Sequence, residues 1–143
     1  MRRVYIPARL RQSVMARADG RYEFCLLHQD DTPFTHQIDH FIPVKHGGQT
    51  VSANLVVACL ECNRYKGSDI AAFDPVSGDI SPLFHPRTQI WTAHFTLQDA
   101  WIIGQTPPGR ATVVLLRLNS MERLIQRQTL MRIGRYPIFL IGK

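Results

Sequence analysis

Three short stretches decide the fold: Ile38-Asp39-His40-Phe41-Ile42-Pro43, then Asn54-Leu55, then Cys59-Leu60-Glu61-Cys62-Asn63-Arg64-Tyr65-Lys66-Gly67. An adjacent Asp39-His40 pair at the end of an apolar strand sends a carboxylate and an imidazole to opposite sides of the backbone. One can then hold a metal while the other faces a water. A Cys59-x-x-Cys62 turn has the spacing of half a structural zinc site. The amide of Asn63, directly after the second cysteine, would be fixed by that knuckle and could serve as a rigidly placed, neutral metal ligand. The loop between carries Lys45-His46-Gly47-Gly48, whose paired glycines permit backbone angles other residues resist.

This constellation resembles the HNH endonucleases, in the variant whose final histidine is asparagine. The resemblance runs through Asp39-His40, Asn54 and Asn63, with 14 residues from His40 to Asn54 and 23 from His40 to Asn63. It extends to His46-Gly47-Gly48 and Lys66-Gly67. It continues through Phe73-Asp74-Pro75, Leu83-Phe84, Pro86-Arg87, Trp91, His94-Phe95 and Gly109-Arg110-Ala111-Thr112, covering roughly residues 15–120. It implies an α+β fold: one small domain over 1–143 with a ββα-metal core at about 20–70. An additional β-hairpin and a helical extension would occupy about 87–135, with flanking helices. It also implies an endonuclease hydrolysing phosphodiester bonds in DNA. Asp39 and Asn63 would hold one Mg²⁺ or Mn²⁺ through oxygen, as hard cations prefer. His40 would be the general base, mostly neutral at cellular pH with an ordinary pKa near ~6.5. Asn54 would bond across the loop and orient His40, although asparagine also caps helices well. Arg64, Lys66 and Arg87 are the expected phosphate contacts, on charge alone. The rival expectation is a nucleic-acid-binding module that keeps the fold and has lost catalysis.

Relatives of this kind usually carry two Cys-x-x-Cys pairs that close a tetrahedral zinc. Here the first is broken, because Tyr22 stands where a cysteine is expected and Cys25 alone remains. Zinc through Cys25, His28, Cys59 and Cys62 is one outcome, since imidazole is an accepted ligand. The other is a core without zinc, with Tyr22 packed over buried thiols.

At 143 residues the chain is long enough for one domain with a genuine core. Apolar residues at 45% and charged residues at 20% exclude a disordered chain. The net charge is +6, and 14 of the 17 basic residues are arginine. It is divided as +5 over 1–21, −5 over 22–109 and +6 over 110–143, which suits a protein that grips a polyanion around a cation site. No apolar run reaches the ~18 residues of a membrane helix, and the start lacks a signal peptide's apolar segment. Three cysteines suggest a reducing, cytoplasmic setting. With no specificity module recognisable, a homodimer or a protein partner could direct the cut.

The local pattern predicts a helix over Pro7–Ala18, a strand near Thr35–Asp39, and a helix or short strand over Asn54–Cys59. It predicts an ordered loop at Asp74–Pro86 and a hairpin of Trp91–Leu97 with Ala100–Gly104. The end reads as helix, with Val114, Leu118, Met121 and Ile125 on one face and an Asn119/Glu122 capping box dividing it in two. Trp91, Phe95 and Trp101 read as core, His46 as a loop residue, and His94 as packed or on the surface. The apolar stretch Tyr136–Ile141 stays unplaced.

Overall fold

The computed structural model describes residues 4–33 and 37–137. Its centre is an antiparallel pair, β1 (Gln37–His40) and β2 (Leu55–Ala58), with Asp39 opposite Val56 and His40 opposite Leu55. Helix α2 (Leu60–Lys66) follows β2 at once. These three elements are the ββα arrangement the resemblance implies. β2 is buried along its whole length, which resolves the helix-or-strand ambiguity over 54–59: four consecutive apolar residues fill a core strand. Of the predicted strand, Thr35 and His36 lie outside the described residues, as do 138–141 of the unplaced C-terminal stretch.

Helix α1 (Ala8–Ala18) starts after Pro7 and ends where Asp19 adopts φ 54°, as the sequence predicts. It buries Val14 and Ala18. Arg17, near its end, donates to Ser52 Oγ at 2.7 Å and Leu55 O at 2.7 Å, tying α1 to the approach to β2.

The expected loop at 74–86 is instead partly a hairpin, β3 (Ala71–Phe73) with β4 (Ile80–Pro82). The Asp74 carboxylate accepts from Val76 N at 3.0 Å and Ser77 N at 3.3 Å, closing a turn that lets its short flanks pair. A second correction falls at Trp91–His94, which form one helical turn, α3, rather than strand. Trp91 is anchored there, its Nε1 donating to Phe24 O at 2.9 Å and its ring stacked on Phe95 at 4.9 Å. The hairpin itself is β5 (Phe95–Gln98) and β6 (Trp101–Gly104), turning through Asp99 at φ 52°. Trp91 and Phe95 are core as expected, whereas Trp101 is 46% exposed on the outer face of β6.

Helices α4 (Pro107–Leu115) and α5 (Met121–Arg132) divide the C-terminal region in two as the pattern suggests. The predicted apolar face does not form. Val114, Met121 and Ile125 are exposed, because a link with Arg117 at φ 50° breaks the helical phase between them. The buried face of α5 carries Arg123, Arg127 and Leu130 instead. The capping box fails too: Asn119 turns inward, accepting from Ile102 N at 2.9 Å and donating to Ile102 O at 2.8 Å.

Asp74 is buried and held by Arg110 of α4 through two bonds of 2.9 Å. That guanidinium keeps the carboxyl well below the usual carboxylate range. A lowered acid stabilises the fold above its unfolded pKa near ~3.9 and loses that contribution as pH falls toward the folded value. Asp74→Asn is therefore expected to lower the thermal midpoint at pH 7, with the gap from wild type narrowing below about pH 4. Melting both proteins by circular dichroism across that range checks it.

Candidate active site

β1 delivers Asp39 and His40 to the mouth of the 14-residue loop 41–54 that joins it to β2. The loop returns tightly. Asn54, buried at its end, accepts from Ile42 N at 2.8 Å and donates to Ile42 O at 3.0 Å and Gln49 O at 2.9 Å. An amide offers both a donor and an acceptor, so one side chain can hold two backbone segments. Gly48 makes the return feasible, since a Cβ there would stand 1.6 Å from Ile42 O. The clamp places Thr50 against His40, with Oγ1 2.8 Å from Nε2. Thr50 is a functional neighbour that sequence reasoning missed, because nothing in a single threonine marks it. Asn54 thus bonds across the loop as expected, and acts on His40 through the loop rather than by touching the ring. His46 is exposed on this loop.

Asp39 lies on the other side of the strand. Its Oδ2 is buried without a hydrogen-bond partner and faces Lys66 Nζ at 3.6 Å. Lys66 is fully buried and donates to Phe41 O at 2.8 Å. Burial raises the Asp39 carboxyl, with Lys66 opposing, and burial lowers the Lys66 ammonium, with Asp39 opposing. Asn63 stands one turn before Lys66, on the same face of α2, and is half-buried. A carboxylate whose buried Oδ2 makes no hydrogen bond and is paired with Lys66, together with an amide on the same helix face as that lysine, offers oxygen donors of the kind a hard cation takes. His85 adjoins it, its ring stacked on Phe41 at 4.0 Å and its pKa lowered by burial and by Lys66. No motif announces His85.

Two expected phosphate contacts are corrected. Lys66 is occupied inside the molecule. Arg87 is largely buried in an ion pair with Glu23, whose Oε1 also accepts from Val57 N at 2.9 Å. Arg64 is exposed as expected, with its guanidinium 5.3 Å from the Tyr65 ring; Arg117 lies over the same ring at 4.8 Å. His94 is half-buried, its Nδ1 2.6 Å from Thr106 Oγ1.

Behind α2, the Cys25, Cys59 and Cys62 sulfurs lie within 4.8 Å of one another, all buried. Such a trio is compatible with zinc. Cys59 also caps α2, accepting from Cys62 N at 3.3 Å. Hydrogen bonding with Cys59 holds Cys25 low, while burial pushes the Cys62 thiol up to about 12. His28 does not join the cluster. Its Nδ1 accepts from Asp30 N at 3.1 Å, and its ring packs against Gly20. The side chain against the sulfurs is Arg123, 3.0 Å from Cys62 Sγ and 3.5 Å from Cys59 Sγ. A guanidinium only donates and cannot ligate, so these residues do not complete a four-ligand zinc site.

Residues 23–69, which contain all of β1, β2 and α2, match the family model described as HNH endonuclease. This segment is thus similar to HNH endonucleases, a similarity that points to a nuclease-type function. The chain is also similar to the Septu protein PtuB of Bacillus thuringiensis, at 22% identity over 93% of this chain and 46% of that protein. It therefore spans just under half the length of this relative. No helix among the described residues is long and apolar enough to cross a membrane.

Asn54→Ala removes three hydrogen bonds made by a buried side chain and is expected to cost about 2–4 kcal/mol, read by urea denaturation. Thr50→Val should cost less than about 1 kcal/mol, because it removes one partly exposed bond.

Proposed function

We propose that the protein is a metal-dependent endonuclease that hydrolyses phosphodiester bonds in DNA. The observation that carries this reading is the placement of a hydrogen-bonded imidazole and a carboxylate with a buried oxygen on adjacent residues at one strand end, inside the segment that matches the HNH endonuclease model. In the tautomer that carries its proton on Nε2, His40 would donate to the Thr50 hydroxyl and keep the Nδ1 lone pair for a proton. His40 takes a proton at Nδ1 from the attacking water. Asp39 and Asn63 would hold a divalent ion, Mg²⁺ or Mn²⁺, which would supply charge stabilisation at the scissile phosphate. Asn54 keeps the loop closed so that Thr50 and His40 stay in register. Arg64 and Arg117, flanking Tyr65, are the exposed cations best placed beside α2 to contact phosphates.

Purified protein is expected to nick supercoiled plasmid with Mg²⁺ or Mn²⁺, to fail in EDTA, and to fail as His40→Ala. Thr50→Val should lower kcat with little change in KM, since it acts on the base rather than on binding. Intact plasmid under every condition, from folded protein that still shifts DNA on a gel, overturns the enzyme. That outcome favours the second reading, a binding module retaining the fold, which the missing cysteine at Tyr22 supports. Arg64→Ala with Arg117→Ala should weaken DNA binding and reduce its salt slope by roughly one for each phosphate no longer neutralised, read by titration at several salt concentrations.

A further inference from the structure

The cysteine cluster poses a question that the nuclease reading leaves open, namely what closes the knuckle. Cys25 and Cys59 keep a sulfur separation of 3.8 Å. This is the edge of a tetrahedron with metal–sulfur bonds of about 2.3 Å, so three corners of a zinc site survive. The fourth has no donor among the described residues. Tyr22 is buried, its hydroxyl 3.1 Å from Thr32 Oγ1, and a phenol is not among the usual zinc ligands. His28 is held by Asp30 N.

A cation is nevertheless present. Arg123 is 4% exposed and reaches the cluster from α5, 61 residues beyond Cys62. One arm donates to both Cys62 and Cys59, and the other donates to Leu116 O at 2.9 Å. A buried guanidinium is costly unless it faces electron-rich partners, and here the sulfurs are those partners. A dication among the same sulfurs would stand close to this fixed positive charge in a medium of low dielectric. The surrounding contacts bring the C-terminal region onto the knuckle: Tyr136 Oη donates to Cys25 O at 2.8 Å, and Arg127, one turn from Arg123, donates to Ala100 O at 2.7 Å.

We propose that Arg123 takes the structural place of zinc in this knuckle, so that the fold closes on a guanidinium–sulfur contact and requires no metal there. A local metal staple is replaced by a long-range one. The turn carrying Asn63 then depends on helix α5 being docked.

The test uses the full chain, purified under reducing conditions. Elemental analysis is expected to find substoichiometric zinc, and neither a strong zinc chelator nor added ZnCl₂ should move the thermal midpoint. Arg123→Met should lower that midpoint by about 5–15 °C, with Arg123→Lys intermediate. Zinc content and chelator response of the unaltered protein decide the matter even if Arg123→Met fails to fold. Roughly one zinc per chain, lost to chelator with a fall in the midpoint, overturns the proposal. As a positive control, Tyr22→Cys combined with Arg123→Met supplies a fourth sulfur and removes the cation. Zinc uptake by that variant alone supports the proposal, and equal uptake by the unaltered protein overturns it.

Discussion

Asn54 makes three hydrogen bonds to the backbone of the loop that leads into it, and the geometry of the site rests on them. The strands they join are four residues long and the following helix is seven. Elements so short do not hold themselves, since a two-stranded hairpin or a two-turn helix is marginal in water. Side chains bonded to backbone supply the missing rigidity. Asn54 closes the loop, Lys66 ties α2 to the end of β1 through Phe41 O, and Glu23 secures β2 through Val57 N. The first two fasten elements that carry proposed functional groups, and the third fastens the strand paired with β1.

The C-terminal half is part of the same economy. Its arginines suggest a surface for a polyanion, yet Arg123 and Arg127 are buried, Arg110 is committed to Asp74, and Arg135 is bonded to Asp31 at 3.0 Å. Aromatic packing joins the halves as well. Phe84 meets Phe24 and Phe95 edge-on at 6.5 and 5.1 Å, so the region after the HNH-like segment completes the core around the knuckle. Arginine is suited to this use, because its planar fork can satisfy several acceptors at once.

The ββα order, the loop clamp and the pairing of Asp39 with His40 were legible because they depend on residue types at fixed separations along the chain. Asn54 is the clearest case, as a side chain that bonds backbone twelve residues away on the loop it ends. What was not legible depends on long-range packing. Arg123 reads as one basic residue among many until α5 is folded over Cys62. Val114 and Ile125 share a helical phase only if the helix is continuous, and the left-handed turn at Arg117 ends that continuity. Trp91 has a strand's residue type, but its bond to Phe24 O, 67 residues away, fixes it in a helical turn. Local pattern gave the elements their character; distant hydrogen bonds set where they begin and end.

Lys66 shows why charge alone misassigns roles. A lysine near a suspected nuclease centre invites a phosphate, but this one is sealed behind Phe41 and faces Asp39. Replacing such a pair with apolar side chains is often neutral or stabilising, so its presence is poorly explained by stability. Its position is more informative. The ammonium fixes one carboxylate oxygen of Asp39 at the strand end and anchors the helix that bears Asn63, so the two proposed oxygen ligands are oriented by the same buried cation.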